Sequence, residues 1–193
     1  MFLRAAAVIL LCLLPVYGSA QSYGQITGYS ALAGPKDPYA DSADPAAGSG
    51  PLWVAYGSGK RVAVADDRPL ALDGAAQGVQ TDFDDIQLAP DRRTLGWLAE
   101  SMACAQSYPC ALELVVFRDG RIIRRFTPEH GIIWFWEFLD GGRQVAVQSG
   151  FPHGDATGAF NLYDIASGKL LDKYMGAGVA PGWVRDFKDP LNP

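Results

Sequence analysis

From Leu52 onward, apolar and polar residues alternate with period two, and short runs are punctuated by Gly, Pro and Asp. Leu52–Tyr56 and Arg61–Ala65 flank Gly57-Ser58-Gly59-Lys60 and predict a hairpin. Pro69–Leu72 reads as a third short strand, and Gly74–Thr81 as a polar connection. Asp85–Ala89 and Thr94–Glu100 form the clearest hairpin, with Leu95 and Trp97 on one face and Gly96 and Leu98 on the other. Ala111–Phe117 and Arg121–Phe126 follow, joined at Arg118-Asp119-Gly120. Gly131–Phe138 is apolar on both faces apart from Glu137, which predicts a central, buried strand. Arg143–Gln148, a loop over Ser149–Gly158, Ala159–Ile165 and Lys169–Tyr174 continue the series, with turns at Asp140-Gly141-Gly142 and Ala166-Ser167-Gly168. The tail Gly176–Pro193 has room for one more strand around Trp183-Val184, and the N-terminal part for a short one around Gln25–Tyr29. Apart from the extreme N-terminus, no stretch keeps helical spacing, so almost no helix is expected.

The series repeats. Leu88 matches Phe138, Arg93 matches Arg143, Leu95-Gly96-Trp97 matches Val145-Ala146-Val147, and Gly120 and Gly168 stand at matching turns. A period of about 50 residues with four strands in each unit is what propeller blades show. The segment Leu88-Ala-Pro-Asp-Arg-Arg-Thr-Leu-Gly-Trp97 resembles the blade motif of TolB-type and WD-repeat-like β-propellers, a Ser-Pro-Asp-Gly turn entering an apolar strand. Tyr163-Asp-Ile-Ala-Ser-Gly-Lys-Leu-Leu171 is similar to the outer hairpin of such blades. Arg92 departs from the pattern where the turn glycine is usual, and Leu139-Asp140 replace Ser-Pro in the second copy. The resemblance covers Asp85 to Tyr174 well and Leu52–Thr81 loosely. It implies an all-β fold of two to three four-stranded antiparallel propeller-like blades. Closed propellers use about four to eight blades, so the blades here would stay open or close by association. A β-sandwich or barrel is the alternative. Two clear repeats are placed at about 85–126 and 132–174, inside a single β domain over 51–193. Gly34–Gly50 or the C-terminal tail would cover part of any open blade face.

The first residues read differently. Arg4 precedes an apolar run, Ala5–Leu14, that is shorter than the about 20 residues a spanning helix needs. Pro15 breaks the run, and Gly18-Ser19-Ala20 offers small residues for cleavage. Residues 1–20 are therefore expected to be a signal peptide, with export to a periplasm or the medium and no stable membrane anchor afterwards. Residues 21–50 form a Gly/Pro/Ser-rich N-terminal segment. Cys12 leaves with the signal, and Cys104 and Cys110 remain as an even pair closing a short loop. A structural disulfide there would contribute about 2 kcal/mol. The 16 Lys and Arg against 21 Asp and Glu give a net charge of −5; without Arg4 it is 15 against 21, or −6. This balance disfavours nucleic acid and anionic lipid as partners. At 49% hydrophobic and 11% aromatic, with 22 Gly and 13 Pro, the composition suits a turn-rich β domain with a core of its own.

Candidate chemistry is sparse. His153 and Asp155 share the glycine-containing loop 151–158, where they could bind a ligand or exchange protons. A third metal ligand is not visible there, and no metal or cofactor is expected. His130, beside Glu129, precedes the Ile132–Phe138 strand and reads as a hinge residue between blades. Asp37, Asp41 and Asp44 lack EF-hand spacing and read as a solvated loop. Asp82, Asp84 and Asp85 read as a capped, solvated rim. Of the five tryptophans, Trp97, Trp134 and Trp136 lie on apolar strands, whereas Trp53 and Trp183 are candidates for stacking on a sugar. Arg118, Arg121, Arg124 and Arg125 crowd one hairpin near Arg92 and Arg93. They would meet an acidic partner or simply protect an edge strand by charge. The phosphate-loop, nucleophile-elbow and zinc-protease motifs are absent from the sequence.

These observations lead to an expected exported, non-enzymatic β-repeat protein that acts as a protein-binding module, with a protein partner or a second copy of itself. The alternative is a small extracytoplasmic hydrolase or carbohydrate-binding protein using the 151–158 loop. A third reading is a degenerate propeller fragment with no ligand.

Overall fold

The computed structural model describes residues 22–31, 50–65, 68–72, 74–101, 109–151, 158–185 and 187. The leader, Cys104, and the loop residues His153 and Asp155 lie outside these. Over the described residues the chain is all-β, with strands in four antiparallel sheets, none of them closed.

The first sheet contains β1 (Ile26–Ser30), β2 (Leu52–Tyr56) and β3 (Arg61–Val64), in that order. β4 (Pro69–Leu72) and β5 (Ala75–Val79) pair as a hairpin. β6 (Asp82–Leu88), β7 (Thr94–Ser101), β8 (Cys110–Arg118) and β9 (Arg121–Phe126) form a four-stranded meander. β10 (Ile132–Leu139), β11 (Gln144–Gly150), β12 (Ala159–Asp164) and β13 (Leu170–Tyr174) form a second one. The two sequence repeats are these two meanders.

The turns follow from local chemistry. Between β8 and β9, Asp119 and Gly120 both have positive φ, 49° and 78°, the two-residue turn whose twist matches the strands. Gly120 is required twice, because a Cβ there would enter the Tyr23 ring. Between β6 and β7, the Asp91 carboxylate accepts hydrogen bonds from the Arg93 N–H (2.8 Å), the Thr94 N–H (2.9 Å) and the Thr94 hydroxyl (2.7 Å). Arg92 takes the left-handed conformation in this turn, with φ 53°. Its counterpart in the second meander is Gly142, with φ 90°, where a Cβ would approach the Ala89 methyl to 2.8 Å.

Alternation along β7 divides the interior into two cores. Leu95, Trp97 and Ala99 join Ile26, Leu52, Val54, Phe83 and Phe117 between the first sheet and the first meander. Leu98 joins Leu114, Val116, Phe126, Trp136 and Val145 between the two meanders. The three sheets therefore stack face to face. The seam between the meanders closes at Gly96, over which the Trp136 ring lies so tightly that a Cβ would overlap it. Trp136 Nε1 donates to the Asp85 carbonyl (3.2 Å), and Gln87 Nε2 donates to the Trp136 carbonyl (2.9 Å). A bulge in β6 between Asp84 and Gln87 turns the Asp85 carbonyl toward that indole.

Three expectations change. Gly74–Thr81 is a strand, β5, paired with β4, not a bare connection. β10 is not central: it stands first in its sheet and bonds only to β11 within it. Its two apolar faces arise because it lies where the cores meet, with Ile132 in the first and Ile133 and Trp136 in the second. Finally, the tail forms a short helix, α1 (Gly182–Arg185), in place of a strand. Phe187 after it is buried on the outer face of the second meander with Ala146, Leu162 and Phe160, and Trp183 packs beside it.

Candidate functional site

The strand pairings sort the connections onto two ends of the stack. The turns at 57–60, 89–93, 119–120, 140–143 and 165–169 share one end, tied across sheets by the Tyr56 hydroxyl, which accepts from the Gly120 N–H (3.1 Å). The β7–β8 and β11–β12 connections, which hold Cys104 and the His153–Asp155 pair, attach at the opposite end. Cys110 is fully buried at the start of β8. Near the base of the β11–β12 loop, His130 is exposed, 3.8 Å from Glu129, and its ring parallels that of exposed Phe151. It is a surface residue, not one hydrogen-bonded between blades. Lys173 donates to the Glu129 carboxylate, and this bond holds the Glu129 pKa below its ordinary value.

The two tryptophans proposed for ligand stacking are not brought together. Trp53 is half-buried on the first sheet, with the Arg61 guanidinium 4.7 Å from its ring centroid. Trp183 packs on the second meander and donates from Nε1 to Asp172 Oδ2 (2.8 Å). The whole first meander lies between them.

The acidic residues open β6, which begins at Asp82, three residues before the expected start at Asp85. Asp85 accepts from Gln87 Nε2 at 3.0 Å. Asp82 is directly opposite Glu100 on β7, and Asp84 is opposite Leu98. Burial, and then the charges of Asp84 and Asp82, push the Glu100 carboxyl up to about 8. Among the described residues no group of three or more His, Cys, Asp and Glu side chains is placed to hold a metal ion.

The arginines that crowd the sequence separate once folded. Arg125 reaches the buried Glu113 carboxylate at 3.0 Å, and exposed Arg68 reaches its other oxygen at 2.8 Å, so both arginines are engaged by one buried acid. A bulge in β8 at Leu112 lets Glu113 face that side. Arg93 pairs with Asp119 at 2.8 Å. Arg118 donates to Thr94 Oγ1 (2.7 Å) and Asp91 Oδ2 (3.1 Å). Desolvation works to raise the Asp91 pKa, but the Thr94 and Arg93 hydrogen bonds and the Arg118 charge together hold it below the ordinary value.

Arg118, Arg121 and Arg124 then line one cleft of about 410 Å³, with Ile122, Ile123 and Ile165 as its apolar part. The cleft lies at the rim of the seam, between the β8–β9 hairpin and the β12–β13 turn. Arg124 is held there by donating to the carbonyls of Ile123 (2.8 Å) and Ala166, which orient its guanidinium without neutralising it. Gly168 leaves room for it. Asp164 is near, but its Oδ1 is taken by the Ser167 N–H and hydroxyl, and these bonds lower its pKa. Arg121 is exposed, and no ion pair is formed by it among the described residues. Sequence reasoning found this arginine group but not which members stay available.

Compared with known protein families and with curated proteins, the chain matches none.

Proposed function

We propose that this chain is an exported, non-enzymatic, protein-binding module built as an open stack of propeller-like blades. Export is supported by the leader-like pattern of residues 1–20. The blade reading is supported by two successive four-stranded meanders in face-to-face register, with matching turns at one end. The observation that carries the binding reading is the cationic cleft at the rim of the seam. A chain of net charge −5 concentrates three arginines there, beside half-buried Ile122 and Ile123, and among the described residues only Arg118 of the three forms an ion pair.

A photo-crosslinking residue at Arg121, in protein expressed by its own host, tests this. The expected result is one discrete adduct with a second polypeptide, and none from the same residue at exposed Ser58. No adduct at position 121, or equal labelling from both positions, overturns the reading.

A further inference from the structure

We infer that the seam cleft takes an acidic, aliphatic peptide segment, with carboxylates drawn to Arg121 and Arg124 and an apolar side chain against the half-buried Ile122 and Ile123. The inference rests on the protein-binding reading and adds the partner's chemistry to it.

Three features point this way. The first is charge. Arg121 presents an exposed guanidinium that a carboxylate can meet in paired hydrogen bonds, and half-buried Arg124 adds its charge beside it, on a molecule that otherwise repels anions. The second is preorganisation. Arg118 is fixed by Asp91 and Thr94, and Arg124 by two backbone carbonyls, so of the three arginines chiefly Arg121 has side-chain freedom to lose on binding. The third is the floor. Ile122, Ile123 and Ile165 make the cleft part apolar, which suits an aliphatic side chain better than phosphate or a nucleic-acid backbone. Among the described residues no aromatic side chain lines the cleft on which a base could stack. β9 is also the last strand of its sheet, and no described strand pairs with its outer edge, which an extended segment could join beside the arginines.

The test is fluorescence anisotropy with the purified protein and a short labelled peptide alternating Glu and Leu. Controls are the matching Gln/Leu peptide and a labelled oligothymidylate, with inorganic phosphate as competitor. The expected result is saturable binding of the Glu/Leu peptide that weakens as salt is raised. The Gln/Leu peptide should bind at least about tenfold more weakly. Arg121→Glu should reduce Glu/Leu affinity about tenfold, and Arg121→Lys, which keeps the charge but not the paired geometry, should reduce it by less. Arg121 is exposed, so neither substitution disturbs the core.

Equal binding of the Gln/Leu peptide, tighter binding of the oligonucleotide, displacement by phosphate, or an unaffected Arg121→Glu variant overturns the inference. If the Glu/Leu peptide fails while position 121 still crosslinks to a protein, the partner chemistry is wrong and the binding reading stands. If both fail, neither stands.

Discussion

Glu100 shows what one strand pairing can do to one side chain. Its place in the sheet buries it, and then sets it near Asp84 and directly across from Asp82, where like charges destabilise a sheet. Its folded pKa of about 8 lies above the value of 4.5 for an unperturbed glutamate. The folded state therefore binds the proton more tightly than the unfolded chain. The stability linked to this proton is fully present below about pH 4.5, declines between there and about pH 8, and is lost above. Glu100→Gln removes the penalty. It should leave stability unchanged at pH 4 and raise it by about 2–4 kcal/mol at pH 9. Urea unfolding at both pH values checks this, and an equal effect at each would contradict it. The sequence shows the acids but not their opposition, because Asp82 and Asp84 read as a rim before a strand that begins only at Asp85. Arg92 is the converse case. The sequence marks it as the residue out of place in its turn, and the backbone shows why: it adopts a positive φ that glycine would take without strain.

Gly96 and Trp136 do for the strands what Asp82 and Glu100 do for side chains. A glycine inside β7 weakens a strand taken alone. Here it gives the neighbouring meander's indole a place to lie, and the two bonds around Trp136 lock that position. Gly96→Ala should cost about 1–3 kcal/mol, since the methyl must displace a ring held on both sides. Trp136→Leu should cost about 2–4 kcal/mol. Together they should cost less than the sum, because the methyl occupies space the indole vacates. A double-mutant cycle by chemical denaturation measures this, and strict additivity would place the ring elsewhere. The strand–turn–strand repeat was legible because the same turn chemistry and period recur in both copies. β5 was not, because Ala75-Ala-Gln-Gly-Val79 has no apolar alternation and becomes a strand by pairing with β4. β10 was misplaced because apolar character on both faces does not distinguish flanking strands from stacked sheets. The arginine cluster was legible as a cluster. Which arginines remain available depends on strand register and on the β8 bulge, neither of which periodicity reveals.

A stack of sheets that does not close must finish at both ends, and the C-terminal end here has a substitute for a further sheet. Ala146 occupies in the second meander the place that Gly96 occupies in the first, and both are fully enclosed. Gly96 receives an aromatic ring from the next sheet. Ala146 instead shares a cluster with Phe187 from the tail, and the Phe187 ring meets Phe160 edge-on at 5.7 Å. Trp183 adds its ring and its bond to Asp172 at the sheet's last strand. The tail thus covers apolar surface that would otherwise seek another sheet. Replacing Trp183 and Phe187 together with Ala should destabilise the protein by about 3–5 kcal/mol. It should also make the mass measured by light scattering rise with concentration, as uncovered faces meet. Arg121 lies on the first meander, at the seam rim rather than on this face, so the doubly substituted protein should still bind the acidic peptide wherever it remains folded. A variant that loses peptide binding but neither stability nor its original mass would show that the tail acts on the cleft, not on the end of the stack.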